Sequence, residues 1–531
     1  MNQKKVQVWL PVLLSVALMI GMFFGYKLKD NMGTYGPSFF GKANRTSLQE
    51  ILELVKQKYV DTVNVDSLGY SAIQDVMSQL DPHSVYIPAG ELQLINEDMQ
   101  GNFQGVGIEF GMITDTVYVM GVLPKGPAET AGMMVGDVII SANDSVVSGR
   151  KFDEENIRKF FRGPKGTEVH VKLLRNKQPK EIIIKRGIIP IKSVDAAYMI
   201  EPGVGFIRLN KFSSNTYEEF MENLERLQKE GMKKLILDLR GNGGGMLDDA
   251  VQIADEFLDG NKDIVYTEGK SSPKQNYTAR RPGLFETGKL ILLIDEGSAS
   301  ASEVLAGALQ DWDRATIMGR RSFGKGLVQD QFTLSDGSAI RLTVSRYYTP
   351  VGRSIQKPYQ RGENAHYKDE VSERFANGEI FHGDSTAHNG KKYKTKGGRL
   401  VYGSGGISPD IFVPMDSVDM IPKEKRMQYK DVLYNAAFLY FIQNQGALNK
   451  IKAPAELQQF TGNDATVIPF LQTLALKDSI KAAPLTNNQQ QLLKQYFTSM
   501  LGRQLWRSEG YVKMKNLNDP VVIKALEEIK K

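Results

Sequence analysis

The sequence predicts an α/β multidomain protein, and three observations carry that expectation. After Pro190, apolar strand-like runs at 234–239 and 290–294 alternate with helix-like segments, the pattern of a mostly parallel α/β core. Between Gly101 and Gly187 the chain changes to short alternating segments, 106–110, 116–122, 137–142 and 168–174, divided by Gly and Pro. That punctuation predicts a compact β-rich module. Both ends of the chain return to helical spacing.

The bulk numbers fit several folded units. At 531 residues the chain is too long for one hydrophobic core. Hydrophobic content of 41% and charged content of 24% are ordinary for globular protein, which excludes wholesale disorder. A net charge of +6 without a run of like charges argues against nucleic acid as a partner. Cysteine is absent, so disulfides, cysteine nucleophiles and thiolate metal sites are excluded together.

In chain order, residues 1–5 form a short tail, expected to be cytoplasmic. Residues 6–26 hold Gln7 as their one strongly polar side chain, and a helix of that length would cross a bilayer. The flanking pairs Lys4, Lys5 and Lys27, Lys29 nearly balance, so charge alone does not orient it. A small-x-small cleavage site is missing near 25–28, which favours an uncleaved single-pass anchor over a signal peptide. Everything beyond would then be extracytoplasmic, on the periplasmic side of the inner membrane in a Gram-negative host. Residues 27–43, with three Gly and a Pro from 31 onward, read as a linker. A helical region at 44–98 follows, with Leu48, Ile51, Leu52, Leu54 and Val55 forming one apolar face. The β-rich module is placed at 99–187 and the α/β core at 188–357 and 399–420. The polar stretch 358–398 holds three of the five histidines and reads as an insertion. Residues 421–531 form a helical tail broken by prolines.

Chemistry concentrates in three strings. Gly297-Ser298-Ala299-Ser300-Ala301-Ser302-Glu303 follows the 290–294 strand and opens a helix. Small residues there let backbone amides approach a ligand, and a helix N-terminus favours negative charge. The competing reading is a helix cap, since Ser300 with Glu303 forms a capping box. Three serines cannot all be caps, however. A serine nucleophile needs a base, and neither a histidine in the flanking α/β segments nor a Gly-x-Ser-x-Gly elbow is present. Lys325, in Ser322-Phe323-Gly324-Lys325-Gly326, is the better candidate, because burial can lower a lysine pKa into the range of a neutral base. A lysine in an exposed Gly turn is the plain alternative for that string. Gly319 to Lys325 also matches most of a phosphate-binding loop, but position 326 is Gly where a magnesium-binding hydroxyl belongs, and 327–332 looks like strand. The third string, Asp238 to Gly245, is a glycine-rich turn able to present N–H groups to a developing oxyanion.

Taken together, the chain resembles the carboxyl-terminal processing proteases, the tail-specific serine peptidases of family S41 that pair a PDZ domain with a Ser/Lys site. The resemblance runs from about Asn44 to Pro414. It is carried by LDPHSVY (80–86), GVGIEF (105–110), AGMMVGD (131–137), LDLRGNGGG (237–245), GSASASE (297–303), FGKGLVQ (323–329), YYTPVGRSIQ (347–356) and GGISPDIFVP (405–414). It implies a crotonase/Clp-like protease core with an inserted PDZ-like domain. It implies Ser300 as nucleophile, Lys325 as base and Gln329 as the residue that orients the lysine. The implied oxyanion donors are the Ala301 amide and that of Gly244 or Gly245. Gly105, Val106, Gly107 and Ile108 match the loop that receives a peptide's terminal carboxylate, with β-augmentation by the strand beyond. Arg162 matches an arginine that couples PDZ position to the active site in some relatives. No metal or organic cofactor is implied. The expected partners are protein or peptide substrates held by their C-termini, the membrane, and an adaptor or second copy through the C-terminal helices. A membrane-tethered PDZ scaffold or holdase with an inactive core is the rival from another class.

Overall fold

The computed structural model describes residues 15–22, 46–149, 154–360, 364–383, 390–415, 423–463, 465, 467–471 and 486–531. The proposed anchor at 6–26 lies mostly outside them, with only 15–22 described, as helix. Among the described residues no helix is long and apolar enough to cross a membrane. The chain divides into two units, 1–75 and 76–531. In the first, the helix Ser47–Lys58 starts at Thr46, whose hydroxyl and the Gln49 side chain close a reciprocal capping box, and none of its residues is buried.

In the second unit, a six-stranded antiparallel sheet forms the β-rich module: Ile108–Ile113, Thr116–Val122, Val138–Ala142, Glu168–Arg175 and Gln178–Lys185 are adjacent in that order, and the short Ser145–Val146 pairs with Val138–Ala142. Their inward residues Val117, Val119, Ile139, Val169, Val171 and Leu173 pack with Ile157 and Phe161 of the helix Glu154–Phe161. Ile108–Ile113 lies at the edge of this sheet. Where the chain enters and leaves the module, Asn102–Gly105 pairs antiparallel with Gly187–Pro190, so the module is inserted on a two-stranded ribbon.

The α/β core is a six-stranded sheet in the order Val194–Glu201, Val204–Leu209, Lys234–Asp238, Leu290–Ile294, Thr316–Gly319 and Ile411–Phe412. Its first pair is antiparallel and the rest are parallel. Alternate residues of a strand face opposite ways, and here both sets are apolar because both faces are covered. Leu235, Leu237, Leu290, Leu292 and Ile294 pack with residues of the helices Thr216–Lys229, Leu247–Asp255 and Ala301–Asp311. Ile236, Ile291 and Leu293 pack instead with Val512, Val521, Val522, Ala525 and Ile529 from the end of the chain. A second sheet brings Val85–Ile87 and Leu327–Thr333 to Ala339–Tyr348.

The tail is helical as expected, with a core of its own contributed by Lys423–Leu448, Pro454–Asn463 and Asn487–Asn516. Its last part does more than the sequence reading allowed. The helix Asn487–Asn516 breaks at Trp506 and Arg507, which redirects the chain so that Pro520–Lys530 lies on the core sheet. Arg503 pairs with Glu109 at 2.7 Å and Arg507 donates to the Val122 carbonyl at 2.7 Å, joining the tail to the β-rich module as well.

Candidate active site

Ser300 stands at the N-cap of the helix Ala301–Asp311 with φ 55° and ψ −115°. A non-glycine residue in that region costs about 1–3 kcal/mol and persists only where its surroundings over-determine it. Those surroundings are explicit. Ala299 N–H donates to the Asn242 carbonyl at 3.0 Å, and Phe323 N–H donates to the Ser298 carbonyl at 2.9 Å. The buried Ser298 hydroxyl donates to the Leu239 carbonyl, and the buried Ser302 hydroxyl to that of Asn242, each at 2.8 Å. Two of the three serines are therefore fasteners, and Ser300 is the half-exposed one between them.

Glu303 and Tyr347 join the serine turn to the lysine loop. Glu303 is fully buried and accepts from Ser300 N–H at 2.9 Å, Lys325 N–H at 2.8 Å and Gly324 N–H at 2.7 Å, and also from the Ser322 hydroxyl. Its capping role was legible in sequence, but its contacts across 19 to 22 residues were not. Burial pushes its carboxyl up to about 7 despite those donors. The Tyr347 hydroxyl, buried, lies 2.6 Å from the Lys325 carbonyl and 3.1 Å from that of Ser300, and its proton is shared between them.

Lys325 itself is half-buried. Burial holds its amine below the ordinary lysine range, Arg341 pushes the same way, and Glu303 and Asp81 oppose. His83, from the turn Asp81-Pro82-His83-Ser84, is kept neutral with a pKa of about 4, by burial first and by the charge of Lys325 second. Asp81 braces that turn by accepting from His83 N–H at 2.9 Å and from Ser84 N–H at 3.1 Å. The Gln329 amide donates to Thr343 Oγ1 at 3.2 Å, and Thr343 Oγ1 donates to Asp81 at 2.9 Å. Gln329 thus connects to the turn that faces the lysine.

The glycine turn lies against the serine turn. A side chain on Gly244, at φ +93°, would come within 2.7 Å of Ser300 Cβ and 2.9 Å of the Ala301 nitrogen. Gly244 N–H is committed to Asn242 Oδ1 at 2.9 Å. Among the described residues, the amides of Gly245 and Ala301 donate to no protein acceptor. Neither do those of Val106 and Gly107 in the β-rich module, next to the edge strand. Gly107 has φ +78°, and Ile108 opens that strand opposite Val122. Gly105 bridges Arg162 through the backbone. The Arg162 guanidinium pairs with Glu97 at 3.2 Å and lies 4.7 Å from the Phe103 ring centroid, which ties the module to the helix Ala89–Gln100. Among the described residues no group of His, Asp and Glu is arranged to hold a metal ion.

A family model described as peptidase family S41 matches residues 203–363, and one described as a PDZ domain matches 105–185. A probable CtpA-like serine protease of Staphylococcus epidermidis (strain ATCC 12228 / FDA PCI 1200) is 36% identical over 317 residues, covering 59% of this chain and 64% of the relative. A protein of the same description from Staphylococcus aureus (strain MRSA252) is 35% identical over 317 residues, covering 59% and 63%. The match therefore spans less than two thirds of either relative's length. Among solved structures, a photosystem II D1 C-terminal processing protease shares 27% identity over 71% of this chain and 88% of its own, with a TM-score of 0.35. Over residues 203–363 the chain is similar to peptidase family S41, over 105–185 to a PDZ domain, and over 317 residues to CtpA-like serine proteases.

Proposed function

We propose that this protein is a serine endopeptidase that cleaves proteins near their C-termini, with Ser300 as nucleophile and Lys325 as base. The observation that carries the reading is the double tether. Glu303 and Tyr347 bind the backbones of both residues, and burial disfavours the charged form of the amine. In the mechanism, neutral Lys325 takes the Ser300 proton as Oγ attacks the scissile carbonyl. The developing oxyanion accepts hydrogen bonds from Ala301 and from Gly245, whose amides are uncommitted, whereas that of Gly244 is engaged. Lys325 then gives its proton to the leaving amine as the C–N bond breaks. Water, deprotonated by the same lysine, hydrolyses the acyl-enzyme and restores Ser300. Gln329 acts on the lysine through Thr343 and Asp81.

The uncommitted amides of Val106 and Gly107 support capture of a substrate's terminal carboxylate, with the peptide adding to the edge strand Ile108–Ile113. Arg162 is the proposed link from that event to the core, through Glu97. The apolar stretch 6–26 supports attachment to a membrane with the folded part outside the cytoplasm. Cleavage of casein and of C-terminal-tail peptides by the wild type, with Ser300→Ala and Lys325→Ala both silent, is the expected result. Normal cleavage by either variant refutes the dyad, and a wild type silent on every tail favours a scaffold. Carbonate-resistant membrane association that survives deletion of residues 2–30 would refute the anchor.

A further inference from the structure

The segment read as an insertion bears directly on the loop that carries the lysine. Its helix Asn364–Ala376 presents Arg374, which is buried and donates to the carbonyls of Arg321 at 2.7 Å and Ser322 at 3.1 Å. Glu379 accepts from the same guanidinium at 2.8 Å and fixes its direction. One turn earlier on that face Glu370 takes Lys357 at 3.1 Å, and Lys357 lies 3.9 Å and 4.1 Å from the ring centroids of Phe323 and Tyr367. The buried Tyr367 ring stands edge-on to Phe323 at 5.8 Å and to His83 at 5.2 Å, with its hydroxyl 2.9 Å from His83 Nε2.

The lysine loop is thereby gripped from two sides. Its N–H groups at Gly324 and Lys325 go to Glu303, and its carbonyls at Arg321 and Ser322 go to Arg374. We propose that Tyr367 and Arg374 are positioning residues for Lys325, walling its loop off from water and holding it in register. The proposal rests on the reading of Lys325 as the base.

The charged and titratable groups facing the amine come from other elements. They are Glu303 from the nucleophile's helix, Asp81 and His83 from the turn at 81–84, and Arg341 from the strand Ala339–Tyr348, with Lys357 facing His83. His83 is neutral at working pH and closes the pocket without adding charge. The helix therefore contributes exclusion of water rather than a charge of its own. Exclusion disfavours the ammonium, so opening the wall must raise the lysine pKa.

The test is the pH dependence of kcat/KM for casein cleavage by the full chain carrying Tyr367→Ala, Arg374→Lys or Tyr367→Phe. For Tyr367→Ala the acid limb is expected to move to higher pH, by about one pH unit, giving about tenfold loss on the acid limb at pH 6 that shrinks as pH rises through the limb. Arg374→Lys, which keeps the charge but loses the fork, is expected to show the same shift in smaller measure. Tyr367→Phe keeps the ring and is expected to retain the wild-type limb. An equal loss at every pH with the limb unmoved, or no change in any variant, overturns the proposal. Should Tyr367→Ala fail to fold, the limb of Arg374→Lys decides by the same criterion. Lys325→Ala separates the two levels: activity in that variant defeats the dyad, whereas its silence beside unmoved limbs defeats only the wall.

Discussion

Replacing Glu303 with Gln removes half of the acceptor that ties the serine turn to the lysine loop, and the outcome depends on pH in a calculable way. The amide keeps one oxygen and places an NH2 group where the other stood. Put beside Ser300 N–H and Lys325 N–H, it would face two donors; put beside Ser322 and Gly324, it faces one N–H and a hydroxyl able to turn and accept. The second orientation is cheaper and orphans one buried donor, at about 1–3 kcal/mol. Against this stands the cost of burying the carboxylate, whose pKa rises from 4.5 to about 7. A rise of that size corresponds to ~3 kcal/mol. Because the folded value lies above the unfolded one, this contribution to wild-type stability is full below about pH 4.5 and is lost as pH rises through about 7. The Gln variant lacks that dependence. It is expected to be less stable than wild type near pH 5 and equal or more stable near pH 8, the difference between the two proteins changing by about 2–3 kcal/mol. Urea unfolding followed by near-ultraviolet circular dichroism measures it. Parallel stability curves for the two proteins across that window would refute the reasoning.

Three further outcomes follow from buried contacts. Asp519→Ala strips Arg240 of one of its two carboxylate partners and leaves Val521 N–H and Val522 N–H uncapped; a loss of about 3–5 kcal/mol is expected, read as a lowered urea midpoint. Gly245→Ala would put a side chain 1.8 Å from the Phe212 carbonyl at φ +144°, so the glycine turn must move; a fall in kcat of at least about tenfold, larger than any change in KM, is expected from peptide kinetics. Arg240 and Arg208 hold the Asp238 carboxyl far below its ordinary range against burial. Its folded value is depressed, so its contribution is present above the unfolded value of about 3.9 and is lost as pH falls below that; an acid titration of Asp238→Asn should be correspondingly flatter than wild type.

The architecture was legible wherever it was written in local periodicity. The 234–239 and 290–294 runs became neighbouring parallel strands, and the short alternating segments after Gly101 became a six-stranded antiparallel sheet. Ser300 and Lys325 stood out because each sits in a short string of unusual composition. What stayed hidden was carried by contacts between distant parts of the chain. Glu303 looked like a cap because only its bond to Ser300 is local. Tyr347 lay inside a recognisable string, yet nothing in that string says that its hydroxyl bridges two carbonyls, 22 and 47 residues away. The 358–398 stretch read as a polar interruption, though Tyr367, Glu370, the buried Arg374 and Glu379 reach the lysine loop from it.

The end of the chain makes the same point on a larger scale. A parallel sheet exposes an apolar set on each face, and the helices Thr216–Lys229, Leu247–Asp255 and Ala301–Asp311 lie on the first. Something else must cover Ile236, Ile291 and Leu293, and Val521, Val522, Ala525 and Ile529 do so. The entry to that last helix is fixed by Asp519, which caps it while accepting two hydrogen bonds from Arg240, at 2.9 and 3.0 Å. Arg240 is the residue before the glycine turn, and Asn242 two positions later receives the Ala299 amide and the Ser302 hydroxyl. The strain at Ser300 is therefore held in part by a chain of buried bonds that ends about a dozen residues from the C-terminus. Removing the tail would uncover the sheet and release Arg240 together, so a truncated chain should lose peptide cleavage and cooperative unfolding as one event rather than in sequence.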